Sequence, residues 1–126
     1  MSAVLLGDGL GDGGRELVAY GADKVYQVDN PALADFTDEA YANILEDRVR
    51  EHKPAIVLAG ATAIGRSVIP LVATSLATGL TADCTELSIR PEDDMLLQTR
   101  PAFGGNIMAT IECPYTRPQM ATVRPR

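Results

Sequence analysis

The chain has 126 residues, 46% hydrophobic and 22% charged, with no Trp and only two Phe. That suits one globular domain with a core of Val, Ile, Leu and Ala, and leaves no room for two sizeable domains. A formal net charge of −6 argues against nucleic-acid binding through the overall field, and no apolar run approaches the roughly 20 residues of a membrane span.

The charge is uneven. Residues 1–94 carry 16 acids against 7 Lys and Arg, whereas residues 95–126 carry Glu112 alone against four Arg. The Arg-rich end is either a solvated terminus or a holder for a phosphate, a carboxylate or an acidic partner. Cys84 and Cys113 form no CxxC pair and have no His at metal-ligand spacing, so no zinc site is expected. Two buried free thiols in a reducing compartment are the expectation. Met1–Leu6 lacks the basic start of a signal peptide, which makes the expected location cytoplasmic.

In chain order, Ala3–Leu6 reads as a buried strand, followed by a Gly- and Asp-rich turn over Gly7–Gly14. That turn has a GxGxxG look with the wrong spacing, and its acids would repel a pyrophosphate. Arg15–Tyr20 predicts a short helix stopped by Gly21, and Lys24–Val28 a strand broken by Asp29-Asn30-Pro31. The clearest helix covers Thr37–His52. Thr37 is its N-cap, Asp38 and Glu39 complement the dipole, and Ala40, Tyr41, Ile44, Leu45 and Val49 share one face. Glu46 and Arg50 form an i,i+4 pair, and Lys53-Pro54 ends the helix. The continuous apolar run Ala55–Ala59 predicts a buried central strand. Gly60–Thr62 then leads into a helix over Ile64–Leu76, with Pro70 set to kink it or delay its start and Gly79 to end it. Beyond Gly79 the helix signals stop. Cys84–Arg90, Met95–Arg100 and Ile107–Cys113 read as strands joined by turns at Pro91–Asp94 and Phe103–Asn106, with Gln119–Val123 a fourth. Strand–helix repeats thus give way to antiparallel hairpins, all expected on one mixed sheet of an α/β fold.

Three segments have chemistry to offer. Gly60–Arg66 follows a strand and opens a helix, where free N–H groups and the helix dipole favour an anion. Thr62 would add a hydroxyl and Arg66 a charge, although glycines at such junctions also serve tight packing alone. In Arg100–Asn106, Pro101 stiffens the approach, and Gly104 and Gly105 allow close approach of a partner. Arg100 can pair with a phosphate or an electron-rich ring, Phe103 can stack, and Asn106 both donates and accepts. The plain reading of this segment is a hairpin turn with a packed Phe and a solvated Arg. Thr116–Pro125 frames a short strand between two Arg-Pro steps, as an exit toward another domain would. His52 is the sole histidine, at a charged helix end, and reads as solvated rather than as a base. Asp93 and Asp94 look like loop acids.

GADKVYQVDNP, KPAIVLAGATAIGR, TGLTADCTEL, LLQTRPAFGGNIMATIECP and RPQMATVRP occur in this order. Together they resemble the N-terminal domain of the electron transfer flavoprotein alpha subunit across nearly the whole chain. The resemblance implies a three-layer α/β/α nucleotide-binding-like sheet (adenine nucleotide alpha hydrolase-like), parallel first and with antiparallel hairpins toward the C-terminus. It implies electron shuttling between flavoenzymes such as acyl-CoA dehydrogenases, in fatty acid beta-oxidation, and a redox acceptor. The full protein would be a heterodimer with a beta subunit, holding FAD mainly through a C-terminal domain. In members that bifurcate electrons, the turn matching Arg100–Asn106 faces a second flavin, and the form of the motif here is similar to that branch. By the resemblance, cofactor-binding positions are Arg100, Phe103, Gly104, Gly105, Asn106, Thr62 and Arg66. This chain would begin at the family's second strand and stop before the FAD-binding domain. A fragment of that kind is not expected to hold FAD tightly alone, and open sheet edges would favour self-association.

Two other functions compete. A stand-alone adenine-nucleotide-binding α/β module would need a phosphate loop after the first strand, and Gly7–Gly14 is a poor one. A hydrolase or transferase would need a nucleophile–base pair, and none is apparent. The expectation is an electron-transfer subunit without catalytic residues of its own.

Overall fold

The computed structural model describes residues 1–102 and 107–125. It divides into two compact units, Met1–Tyr41 and Ala42–Arg126.

In the first unit, β1 (Ser2–Gly7) and β2 (Lys24–Asp29) pair in parallel, from Ser2↔Lys24 to Gly7↔Asp29, joined by α1 (Gly13–Ala19). A parallel pair needs such a crossover, and the Gly-rich turn supplies its first bend: Gly9 and Gly11 take φ of 68° and 51°. A 3-10 turn, Pro31–Leu33, follows the Asp29-Asn30-Pro31 break, with the Asn30 side chain accepting from Ala32 N at 2.9 Å. The Tyr41 hydroxyl donates to the Leu33 carbonyl at 2.9 Å, and its ring meets Phe36 edge-on at 5.0 Å between centroids. Only Ala22 and Leu33 among its apolar side chains are fully buried.

Helix α2 (Asp38–His52) starts in the first unit and continues into the second. The Thr37 carbonyl accepts from Tyr41 N at 3.2 Å, and the expected apolar face is half-buried. The Glu46–Arg50 pair forms at 2.9 Å, and Arg50 also donates to the Ser75 carbonyl at 3.1 Å. Lys53, at φ 48°, closes the helix.

The second unit contains two three-stranded sheets. β3 (Ile56–Gly60), β4 (Leu80–Cys84) and β8 (Gln119–Val123) form a parallel sheet in the order β3-β8-β4, with α3 (Ala63–Ser75) crossing from β3 to β4. β5 (Glu86–Arg90), β6 (Met95–Pro101) and β7 (Met108–Ile111) form an antiparallel sheet in that order.

Several expectations are corrected here. Gln119–Val123 does not extend the antiparallel hairpins; it inserts in parallel between β3 and β4. It is also the buried central strand: Gln119 to Thr122 are each at most 1% exposed, whereas β3 lies at the sheet edge with Leu58 half exposed. Instead of one mixed sheet there are three hydrogen-bonded sheets. Cys84–Arg90 corresponds to β5, but a further strand, β4, precedes it; a register shift between Thr81 and Cys84, with Asp83 at φ 59°, turns the chain out of the parallel sheet between them. Finally, α3 starts at Ala63, continues through Pro70 and stops before Gly79. Ala77, at φ 53°, takes the left-handed position, with Thr78 N bonded to Ala73 O at 3.0 Å and Ala77 N to Thr74 O at 3.1 Å.

Buried amides join the two sheets. Gln119 of β8 accepts from Leu96 N of β6 at 2.9 Å, and Gln98 of β6 donates to the Met120 carbonyl at 3.3 Å. The Thr81 hydroxyl of β4 donates to the Gln98 side-chain oxygen. Both glutamines are 1% exposed, so each bond satisfies a group that would be costly to leave unpaired.

Candidate functional site

In open parallel sheets, ligands meet the carboxyl ends of the strands. In the second unit those ends are Gly60 of β3, Val123 of β8 and Cys84 of β4. The segments that leave them are stitched to neighbouring strands, Ala61 N to Val123 O at 2.7 Å and Arg124 N to Cys84 O at 2.9 Å.

Thr62 caps α3: its backbone is extended, its hydroxyl oxygen accepts from Gly65 N at 3.1 Å, and its carbonyl accepts from Arg66 N at 2.9 Å. A Cβ on Gly65 would lie 2.0 Å from the Gly60 carbonyl oxygen. That glycine is required by packing, because the helix start sits directly on the end of its own strand. Thr62 and Arg66 are both exposed. The Arg66 charge is engaged within the unit, its Nε lying 3.2 Å from Asp83 Oδ1.

Asp83 is held from both sides. Its N–H donates to the buried Thr122 hydroxyl at 3.0 Å. Its Oδ1 is shielded from solvent and receives no aligned hydrogen bond, although the guanidinium is near. The next residue, Cys84, is completely buried. Burial pushes its thiol above the ordinary value; the positive charge of Arg100 opposes this and the carboxylate of Asp83 adds to it. Arg100 is half-buried in β6, opposite Ala109 of β7. A single edge therefore carries Thr62, Arg66, Asp83, Cys84 and, within electrostatic reach of Cys84, Arg100. Asp83 and Thr122 were not singled out from the sequence. The clue available was an acid among small apolar residues in TGLTADC. Phe103, Gly104, Gly105 and Asn106 lie outside the described residues; the Ala102 N–H donates to the Ile107 carbonyl at 2.7 Å.

The loop after β1 is organised differently. Asp29 at the end of β2 accepts from Gly9 N at 2.9 Å and from Leu10 N at 3.1 Å. These are amides a phosphate would need, and a fixed carboxylate already takes them. A shallow groove lined by Gly11, Arg15, Lys24 and Gln27 belongs to this first unit and includes none of the candidate residues.

Elsewhere, His52 is exposed at the end of α2. Asp93 pairs with Arg90 at 2.7 Å, which holds its carboxyl below the usual range, and Arg90 also reaches Glu112 at 2.9 Å. Burial works to raise the Cys113 thiol, but hydrogen bonding from Thr116, the Gly79 backbone and Thr78 outweighs it, so the thiol sits below its ordinary value. Among the described residues no group of His, Cys, Asp and Glu is placed to hold a metal, and no helix is long and apolar enough to cross a membrane.

A family model described as the electron transfer flavoprotein domain matches residues 1–126. The chain belongs to this family. It is 54% identical over 99% of its length to the electron transfer flavoprotein subunit alpha of Thermoanaerobacterium thermosaccharolyticum. It is 52% identical over 97% of its length to the lactate dehydrogenase (NAD(+),ferredoxin) subunit LctC of Acetobacterium woodii. It is 46% identical, again over 97%, to the acryloyl-CoA reductase electron transfer subunit beta of Anaerotignum propionicum. The chain spans 38%, 29% and 39% of these relatives respectively. The family match agrees with the resemblance read from the motifs, and the parallel sheets with a later antiparallel sheet agree with the fold it implied.

Proposed function

We propose that this chain forms the N-terminal domain of an electron transfer flavoprotein alpha subunit, supplying contacts to a beta subunit and one wall of a flavin pocket. The observation that carries the reading is the edge at the carboxyl ends of β3, β8 and β4. Arg66 lies at the start of α3 there, paired with Asp83, and Arg100 of β6 lies within electrostatic reach of Cys84. Positive charge at and near that edge suits an anionic or electron-rich group approaching it. FAD supplies the redox chemistry when bound in the full heterodimer. The residues of this chain position it and set its electrostatics.

Arg100 places positive charge against the flavin and favours its anionic reduced form. Thr62 and Arg66 contact a phosphate or the partner subunit, and the segment Phe103–Asn106 lets the flavin approach the backbone. Electrons pass from flavoenzymes of the acyl-CoA dehydrogenase type, as in fatty acid beta-oxidation, to a redox acceptor in the cytoplasm. The relative named for both NAD(+) and ferredoxin supports a bifurcating variant of this role. Nucleotide binding by the β1 loop is disfavoured, because Asp29 holds its amides. The chain by itself is expected to bind FAD weakly.

The test is co-purification of this chain with the beta subunit encoded beside its gene, in the presence of FAD, with bound flavin quantified. Complex formation with stoichiometric flavin supports the reading; well-folded chain that captures no beta subunit removes it. In a full-length complex, Arg100→Ala is expected to shift the flavin potential to more negative values. Unchanged potential and flavin retention would make Arg100 structural.

A further inference from the structure

Asp83 has three properties that do not fit an ordinary surface acid. Its backbone occupies the left-handed region, φ 59°, at the bulge that ends β4. Its N–H is anchored on Thr122, a 1% exposed residue of the central strand. Its Oδ1 is covered and accepts no hydrogen bond, although the Arg66 Nε stands 3.2 Å away. A covered carboxylate oxygen is costly to leave uncompensated, and the Arg66 guanidinium is the charge that compensates it. Arg66 lies on the first turn of α3, on a helix with no other charged side chain. Nothing else on that helix competes for the carboxylate.

We propose that Asp83 is a positioning residue: its carboxylate holds the Arg66 guanidinium against the end of β4 and stands in for the anionic group that Arg66 meets in the assembled protein. This rests on the reading that Arg66 faces such a group. Arg66 is held by charge through a half-exposed ion pair, so an incoming phosphate or carboxylate can draw it away. The anchor on Thr122 fixes the Asp83 backbone, from which the short side chain reaches, while the longer arginine moves. Since Arg66 is more than half exposed, the pair adds little to stability, and its effect is on where the charge points.

The experiment follows the Arg66 side-chain Nε–H by 15N NMR in this chain, titrated with inorganic phosphate. The Asp83→Asn variant suits it because Asn tolerates positive φ and keeps the shape of the side chain. Expected are at least fivefold faster solvent exchange at that N–H and at least threefold tighter phosphate binding at Arg66 in Asp83→Asn. The β4 amide shifts should stay in place, and Asp83→Glu should restore the original behaviour. Asp83→Gly accepts the same backbone and serves if the Asn variant does not fold. Identical exchange and phosphate response in wild type and variant overturn the proposal. No flavin or partner is present in this measurement. A failure of Arg66→Ala to alter flavin retention in the full complex would instead remove the flavin reading, and leave the pairing standing.

Discussion

Two loops in this protein leave a parallel strand and enter a helix, and they solve the same problem by different means. After β1, the turn is held from outside: Asp29 on the neighbouring strand grips the amides of Gly9 and Leu10, and two glycines at positive φ make the bend. After β3, the turn is held from within. Thr62 caps the helix, Gly65 seats it on Gly60, and the neighbouring carboxylate, Asp83, pairs with a side chain instead of the backbone. The first arrangement spends its amides on structure and has none to offer a phosphate. The second leaves a guanidinium at the surface, where a partner can compete for it. A carboxylate near the end of another strand of the same sheet, the adjacent one for β1 and the next but one for β3, thus closes one loop and only tethers the other.

Three substitutions would break or sharpen this contrast. The largest effect is expected for Gly65→Ala, since the new methyl would overlap a backbone carbonyl that cannot move aside. A loss of about 2–3 kcal/mol in urea denaturation is expected, and a loss below about 0.5 kcal/mol would show that the helix start is not seated as described. Next, Asp29→Ala removes two charge-assisted bonds to amides at an exposed turn, with an expected cost of about 1 kcal/mol. Hydrogen exchange should localise the change, with Gly9 and Leu10 amides exchanging several-fold faster while the β3 loop is untouched. Equal protection in both proteins would mean that Asp29 does not hold the turn. The smallest effect belongs to Thr62→Ala, about 1 kcal/mol or less for loss of one cap. Thr62→Ser should recover most of it, because only the hydroxyl oxygen is used.

Much of the local structure was legible before any fold was known. Glu46 and Arg50 pair as their spacing implies, and Asn30-Pro31 breaks the chain after β2. Each of these follows from residues within one helical turn of one another. The candidate site was legible only at its rim. Thr62, Arg66 and Arg100 stood out by residue type, whereas Asp83 and Thr122 matter through contacts between residues 17 and 39 positions apart.

The amino-acid sequence alone determined the order and type of most elements and, through its motifs, the family. Tertiary structure decided which strand is central. Gln119–Val123 is five residues long with a polar residue at its start, and nothing within it says whether it pairs in parallel or antiparallel. Its place between β3 and β4 is set by the burial of Gln119 to Thr122 and by the Gln98 and Gln119 bonds to backbone groups of the other sheet. Those partners are remote in sequence, and pairing between remote segments is settled by the packing of the whole unit.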